Sequence, residues 1–221
     1  MKKLKHLQKT IDLYDPNIAR IFLPWAFRHP KYIRSFLRLR KSYLSSEKTR
    51  RNTLEKGIKI PPFLILSVTS KCNLKCNGCY ATAAGNITQK NTLVKPVLDL
   101  KQWISVIKEA SEIGVFGFVV AGGEPFLYPD LIKLFKEFKN RFFVVITNGT
   151  LIKEQDYKTL KKLGNIAIIV SLEGDENLTD GRRGKGVFGK AMKTLKKLNN
   201  FGVINGTSVT VQLHGPITNF G

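Results

Sequence analysis

Five short apolar runs, rich in Val, Ile and Phe, alternate with amphipathic segments between residues 63 and 212, and this alternation restricts the fold more than any other feature. Runs that are apolar throughout are typical of parallel strands whose two faces are both covered. The sequence therefore predicts an α/β fold with about five parallel strands. The predicted strands are Phe63 to Val68, Phe116 to Ala121, Phe142 to Thr147, Asn165 to Leu172 and Thr207 to Gln212.

The segments between these runs carry signals for helix ends. Asp99 and Gln102 form a capping-box pattern that predicts the start of a helix. Gly164 and Gly202 follow apolar stripes at the positions where a glycine ends a helix. Because the carboxyl ends of parallel strands meet at one edge of the sheet, functional residues are expected on the loops after the strands.

The first 60 residues are strongly basic, with 16 Lys and Arg against 4 Asp and Glu in a chain of net charge +21. They predict short helices broken by prolines, including one from about 31 to 45 with an apolar face of Ile33, Phe36, Leu37 and Leu44. Two interpretations stay open: an extension packed on the main domain, or a helix that contacts a membrane surface or a partner.

These patterns divide the chain into a basic helical extension (1–60), a core (61–213) and an irregular tail (214–221). No apolar run approaches the roughly 20 residues of a membrane span, so a cytoplasmic location is expected, with peripheral membrane contact left open. The charge also suits nucleic acid. No DNA- or RNA-binding motif accompanies it, and nucleic acid is therefore not an expected partner.

All three cysteines of the chain, Cys72, Cys76 and Cys79, lie in one loop directly after the first predicted strand. Such crowding favours a metal or cluster over a disulfide framework. Three thiolates are one short of the usual four ligands of a 4Fe–4S cluster, which leaves one iron open. A zinc site with a fourth ligand from His6, His29 or His214, or three unrelated buried cysteines, are the alternatives.

This loop and three further motifs together resemble the radical SAM superfamily. The motifs are Gly122-Gly123-Glu124-Pro125, Thr147-Asn148-Gly149 and Ser171-Leu172-Glu173-Gly174, each after a predicted strand. The resemblance implies a partial (β/α)6 barrel, a 4Fe–4S cluster on the three cysteines, and S-adenosylmethionine bound to the open iron. Reduction by a donor such as a flavodoxin or ferredoxin would then release a 5'-deoxyadenosyl radical for hydrogen abstraction from a substrate.

The resemblance also implies contacts to S-adenosylmethionine. Gly122 and Gly123 let backbone approach the ligand, and Glu124 either adds an acceptor or fixes the turn. Arg183, preferred over Arg182, is expected at the carboxylate because a guanidinium binds it in bidentate fashion; a solvated basic loop is the alternative. The full set of expected cofactor-binding residues is Tyr80, Gly122, Gly123, Glu124, Pro125, Thr147, Asn148, Ser171, Glu173 and Arg183.

Two departures from the superfamily pattern limit this prediction. Gly78 stands where an aromatic residue often precedes the last cysteine, so adenine is expected to contact backbone at Gly78 or the side chain of Tyr80. The pattern contains five strands where the barrel usually has six, so the core is expected to lack the sixth unit.

A truncated or inactive relative with an accessory role, and a basic nucleic-acid-binding protein with a structural metal, are the alternative functions. The Cys79-Tyr80-Ala81 form resembles a subset that modifies peptides or matures cofactors, and it does not fix the substrate.

Overall fold

A computed structural model describes residues 30–83, 85 and 97–209. Its five strands form one parallel sheet in the order β1-β2-β3-β4-β5. The predicted α/β class with a five-stranded parallel sheet is therefore confirmed. The strands are β1 Phe63–Ser67, β2 Gly117–Ala121, β3 Phe142–Thr147, β4 Ile166–Leu172 and β5 Ile204–Val209.

Four strands agree with the predicted bounds to within one residue, and the fifth does not. β5 begins at Ile204, three residues before the predicted start, and Ile204 pairs with Ala167 of β4. Asn205 and Gly206 have the composition of a turn, but parallel pairing with β4 draws them into the strand. The end predicted at Gln212 lies outside the described residues.

Seven α-helices occur in the described residues, together with two 3-10 helices at Pro30–Tyr32 and Pro125–Leu127. The predicted capping box is confirmed, since Gln102 N donates to Asp99 Oδ1 and Asp99 N donates to Gln102 Oε1, both at 2.9 Å. Gly164 and Gly202 end their helices with φ of 64° and 69°. The helices are α1 Ile33–Glu55, α2 Tyr80–Ala83, α3 Leu100–Glu112, α4 Leu131–Glu137, α5 Glu154–Leu163, α6 Glu176–Arg183 and α7 Val187–Phe201.

The core lies between the sheet and the helices that cover one of its faces. Phe118 and Val120 of β2, and Phe143 and Val145 of β3, are fully buried there. Val119, Val144 and Ile146 alternate with these residues, point to the other face and are only half-buried, and Ile65 of β1 is 74 % exposed. The sheet is thus packed against the helices through one apolar face. This packing fixes the positions of the strand ends, from which the loops project.

Helix α1 packs on the domain through its polar side. Arg50 Nη1 donates to Gly114 O at 2.6 Å, Arg38 Nε donates to Lys139 O at 2.9 Å, and Tyr32 Oη donates to Gly202 O. Arg38 Nη2 also reaches Leu163 O. These carbonyls lie at or just after the carboxyl-terminal ends of α3, α4, α7 and α5. Helix α1 and Tyr32, which precedes it, therefore supply donors where helix dipoles are negative, and the two arginines also supply positive charge.

The apolar side predicted for this helix does not form the packing surface. Ile33, Leu37 and Leu44 are 44 %, 57 % and 40 % exposed, whereas Ser35 and Ser46 are buried. The ends of neighbouring helices present carbonyl groups, which need hydrogen-bond donors rather than aliphatic side chains. None of the helices in the described parts of the chain is long and apolar enough to cross a membrane.

Candidate functional site

A pocket opens at the carboxyl ends of the strands, and most of the predicted site residues line it. Pro125 and Glu173 are the exceptions, since Pro125 is buried in the turn after β2 and Glu173 lies behind the arginines. Arg182, which was ranked below Arg183, also lines the pocket. The predicted residues that line it are Cys72, Cys76, Cys79, Tyr80, Gly122, Gly123, Glu124, Thr147, Asn148, Ser171 and Arg183.

The cysteine loop is pressed against the turn after β2. Gly123 N donates to Thr69 O at 2.7 Å, and Glu124 N donates to Lys71 O at 2.8 Å. A Cβ on Gly123 would lie 2.1 Å from Lys71 O, and one on Gly122, whose φ is +129°, would lie 2.5 Å from Thr69 O. The paired glycines therefore let the cysteine loop, and not only a ligand, approach the backbone closely.

The three thiols are half-buried around this pocket. Burial raises the pKa of Cys72 and Cys76, the Leu74 N–H opposes this at Cys72, and the Arg183 guanidinium opposes it at Cys76. Leu74 N is 3.4 Å from Cys72 Sγ. These groups stabilise negative charge on sulfur, the form that binds metal.

The three thiols are the type of ligand that holds iron–sulfur clusters in proteins. Among the described residues, no three His, Cys, Asp or Glu side chains converge closely enough to hold a single metal ion. In a 4Fe–4S cluster the cysteine ligands bind different irons, so they surround the cluster instead of meeting at one atom. The histidines considered as a fourth zinc ligand, His6, His29 and His214, lie outside the described residues.

Glu124 is 1 % exposed and accepts three hydrogen bonds. Its carboxylate binds Thr147 Oγ1 at 2.7 Å, Asn148 N at 2.8 Å and Phe126 N at 3.1 Å. Burial raises the pKa of Glu124, and the donors from Asn148 and Thr147 oppose that rise. The carboxylate thus holds the end of β3 against the turn after β2, which is the second of the two roles considered for it.

Asn148 connects the end of β3 to the cysteine loop. Its Nδ2 donates to Asn73 Oδ1 at 2.9 Å, and Asn73 Nδ2 donates to Thr150 Oγ1 at 2.9 Å. Thr150 Oγ1 closes the ring by donating to Asn148 Oδ1 at 2.7 Å. Asn73 and Thr150 were not predicted as site residues. In the sequence, Asn73 is noticeable only because it follows Cys72, and no local pattern indicates a role for Thr150.

Two arginines at the end of α6 converge on one buried carboxylate. Glu173, 8 % exposed, accepts from Arg183 Nε at 2.9 Å and Nη2 at 2.6 Å, and from Arg182 Nη1 at 2.6 Å. Asp180 fixes the following turn by accepting from Gly186 N and Phe188 N, and these bonds lower its pKa. The segment from Asp180 to Phe188 is therefore ordered by hydrogen bonds and ion pairs and is not a solvated basic loop.

Ser171 and Tyr80 also line the pocket. Ser171 is buried at the end of β4, where it accepts from Ser208 Oγ of β5 at 3.3 Å. Tyr80 begins α2 directly after Cys79, and its side chain is 62 % exposed. The pocket thus combines three thiols, the backbone of two glycines and two arginine side chains, which suits a small charged organic molecule.

Comparison with known proteins identifies the class. The model of the Radical SAM superfamily matches residues 66–217, and the chain belongs to this superfamily of enzymes, whose members use a 4Fe–4S cluster and S-adenosylmethionine. The predicted resemblance is confirmed.

Individual relatives come from several biosynthetic systems. The sporulation killing factor maturation protein SkfB of Bacillus subtilis is 33 % identical over 63 % of this chain and 33 % of its own length. The Fe-coproporphyrin III synthase of Methanosarcina barkeri is 32 % identical over 68 % of this chain and 37 % of its own length. The chain therefore spans about a third of the length of these relatives.

A solved structure with the same fold is Streptococcus suis SuiB bound to its precursor peptide SuiA. The TM-score is 0.60 at 24 % identity, and the match covers 76 % of this chain and 37 % of SuiB. At this identity the likeness concerns the fold: a parallel sheet with helices, as in a partial barrel.

Proposed function

We propose that this chain holds a 4Fe–4S cluster on Cys72, Cys76 and Cys79 and binds S-adenosylmethionine beside it. One electron from a flavodoxin- or ferredoxin-type donor would break a sulfonium C–S bond of S-adenosylmethionine, giving methionine and a 5'-deoxyadenosyl radical. The radical would then take a hydrogen atom from the substrate, giving 5'-deoxyadenosine and a substrate radical. The observation that carries the proposal is the gathering of the three thiols, Gly122 and Gly123 around one pocket.

The chain's own groups divide the work of binding. The carbonyls of Gly122 and Gly123 would accept from the ammonium group of S-adenosylmethionine. The Nε and Nη2 of Arg183 both donate to Glu173, and its Nη1 has no hydrogen bond within the described residues. This nitrogen, held in place by Glu173, supports Arg183 as the contact to the S-adenosylmethionine carboxylate.

The substrate class we propose is a peptide or a cofactor precursor. SkfB is named as a maturation protein, and SuiB was solved with a precursor peptide. For the electron donor, the chain's net charge of +21 favours an acidic protein through long-range attraction.

Anaerobic reconstitution with iron and sulfide, reduction by dithionite and chromatography for 5'-deoxyadenosine test the proposed reaction. We expect cluster absorbance and 5'-deoxyadenosine in the native chain and neither in Cys76→Ala. The matched control is Ser45→Ala, an exposed position on α1 remote from the pocket. A cluster without 5'-deoxyadenosine would favour an inactive relative, and bound zinc without a cluster would overturn the proposal.

We further propose that the exposed side of α1 contacts an anionic membrane surface. Ile33, Leu37 and Leu44 are spaced by four and seven residues and so form one stripe along the helix. Exposed basic residues lie along one side of this stripe and beyond its carboxyl-terminal end, a pattern that suits a helix on an anionic membrane surface. They are Arg34, Lys41, Lys48 and Arg51.

Vesicle flotation tests this contact. We expect the chain to float with vesicles that contain phosphatidylglycerol, less at high salt, and not with vesicles of phosphatidylcholine alone. Leu37→Ser combined with Leu44→Ser should reduce flotation, whereas Met192→Ser, which alters an exposed apolar residue on α7, should not. Equal flotation of all three proteins would argue against a role for the stripe.

A further inference from the structure

Arg182 makes three hydrogen bonds to the cysteine loop. Its Nε donates to Asn77 O at 3.0 Å, and its Nη2 donates to Gly78 O at 3.0 Å. In the reverse direction, Asn77 N donates to Arg182 O at 2.9 Å. One residue at the end of α6 thus holds both residues that separate Cys76 from Cys79.

The loop backbone is shaped to meet this side chain. Gly78 has a φ of 62°, in the left-handed region that glycine enters without strain. The carbonyls of Asn77 and Gly78 both reach the same guanidinium group. This contact gives a physical reason for glycine at a position where the superfamily often has an aromatic residue.

Glu173 fixes the direction of Arg182. Its Oε2 accepts from Arg182 Nη1 at 2.6 Å, and the Glu173 side chain is 5 % exposed. All three guanidinium nitrogens of Arg182 are therefore engaged by protein acceptors, whereas Arg183 keeps Nη1 available. A planar fork can serve three acceptors at fixed angles, which the single ammonium of a lysine cannot do.

We propose that Arg182 is a positioning residue that presets the Cys76–Cys79 segment for the cluster before the cluster is bound. The proposal rests on the proposed function for the presence of a cluster. Arg182 then holds the protein loop, and Arg183 contacts the cofactor.

Hydrogen exchange on the protein without cluster tests the clamp directly. In Arg182→Gln, we expect the Asn77 amide, which donates to Arg182 O, to exchange at least about tenfold faster than in the native chain, because the side-chain donors that hold the Asn77 and Gly78 carbonyls are lost. Arg182→Lys keeps the charge near Glu173 and should give an intermediate rate. Arg183→Gln is the matched control and should leave exchange at the Asn77 amide close to native.

Iron and sulfide content after reconstitution gives the second readout. We expect Arg182→Gln, compared with the native chain at a temperature where both proteins are folded, to take up less cluster, with Arg182→Lys in between. Native exchange rates, or native cluster content, in Arg182→Gln would overturn the inference. If the native chain itself takes up no cluster, the proposed function fails, and the exchange measurement still decides whether Arg182 orders the loop.

Discussion

At the scale of single residues, the glycine at position 123 is required by the cysteine loop itself. A Cβ there would lie 2.1 Å from Lys71 O and 2.5 Å from Lys71 C, both main-chain atoms that no side-chain rotation can move away. The same close approach allows the Glu124 N to Lys71 O hydrogen bond at 2.8 Å. A side chain at this position would therefore push the loop off the turn after β2.

We predict that Gly123→Ala lowers the free energy of unfolding by about 1–3 kcal/mol, the usual cost of overpacking, and reduces cluster content. Iron analysis after reconstitution and urea unfolding measure the two effects. The control is Gly189→Ala on α7, where an added Cβ meets nothing within 4 Å. Native cluster content in Gly123→Ala would show that the loop can move without loss of the site.

The cysteines and the glycine turn can be located from the sequence, but the hydrogen bonds that hold the cysteine loop in place cannot. The cysteines lie in one short motif, so their proximity follows from the chain itself. Arg182 and Asn77 are 105 positions apart, and Asn73 and Thr150 are 77 apart. Such contacts depend on which strands are neighbours and on side-chain direction, and neither is written in a local pattern.

At the scale of elements, the length of α1 depends on tertiary contacts as well as on its own sequence. Apolar periodicity stops after Leu44, and for this reason the helix was predicted to end near residue 45. It continues to Glu55 because Ser46 and Arg50 make contacts with the domain behind it. Tertiary contacts thus extend a helix that its own composition would end.

We predict that Arg50→Met lowers the free energy of unfolding by about 1–2 kcal/mol. The methionine keeps much of the apolar stem but removes the donor to Gly114 O and the cation 5.8 Å from the Tyr43 ring centroid. Urea unfolding followed by circular dichroism measures the change. Arg51→Met is the control, because its ion pair with Glu47 is on the surface and should contribute about 0.5 kcal/mol or less. Equal losses in the two variants would mean that α1 gains little from Arg50.

At the scale of the whole molecule, the sheet separates two differently built ends. At the carboxyl ends of the strands, buried carboxylates and arginines order the cysteine loop. At the other end, α1 and the preceding Tyr32 donate to carbonyls at the carboxyl-terminal ends of four helices. Strands of five to seven residues at about 3.3 Å per residue place these ends about 15–20 Å apart.

This separation predicts that changes at the two ends act independently. The combined variant Arg50→Met with Arg182→Gln should lose a free energy of unfolding equal to the sum of the single losses, within about 0.5 kcal/mol. Its cluster content should equal that of Arg182→Gln alone, since Arg50 donates to Gly114 O at one end of the sheet and Arg182 donates to Asn77 O at the other. Urea unfolding and iron analysis of the four proteins form a double-mutant cycle. A coupling above about 1 kcal/mol would mean that the sheet transmits strain between its ends, and the stability of α1 would then influence how the cluster is held.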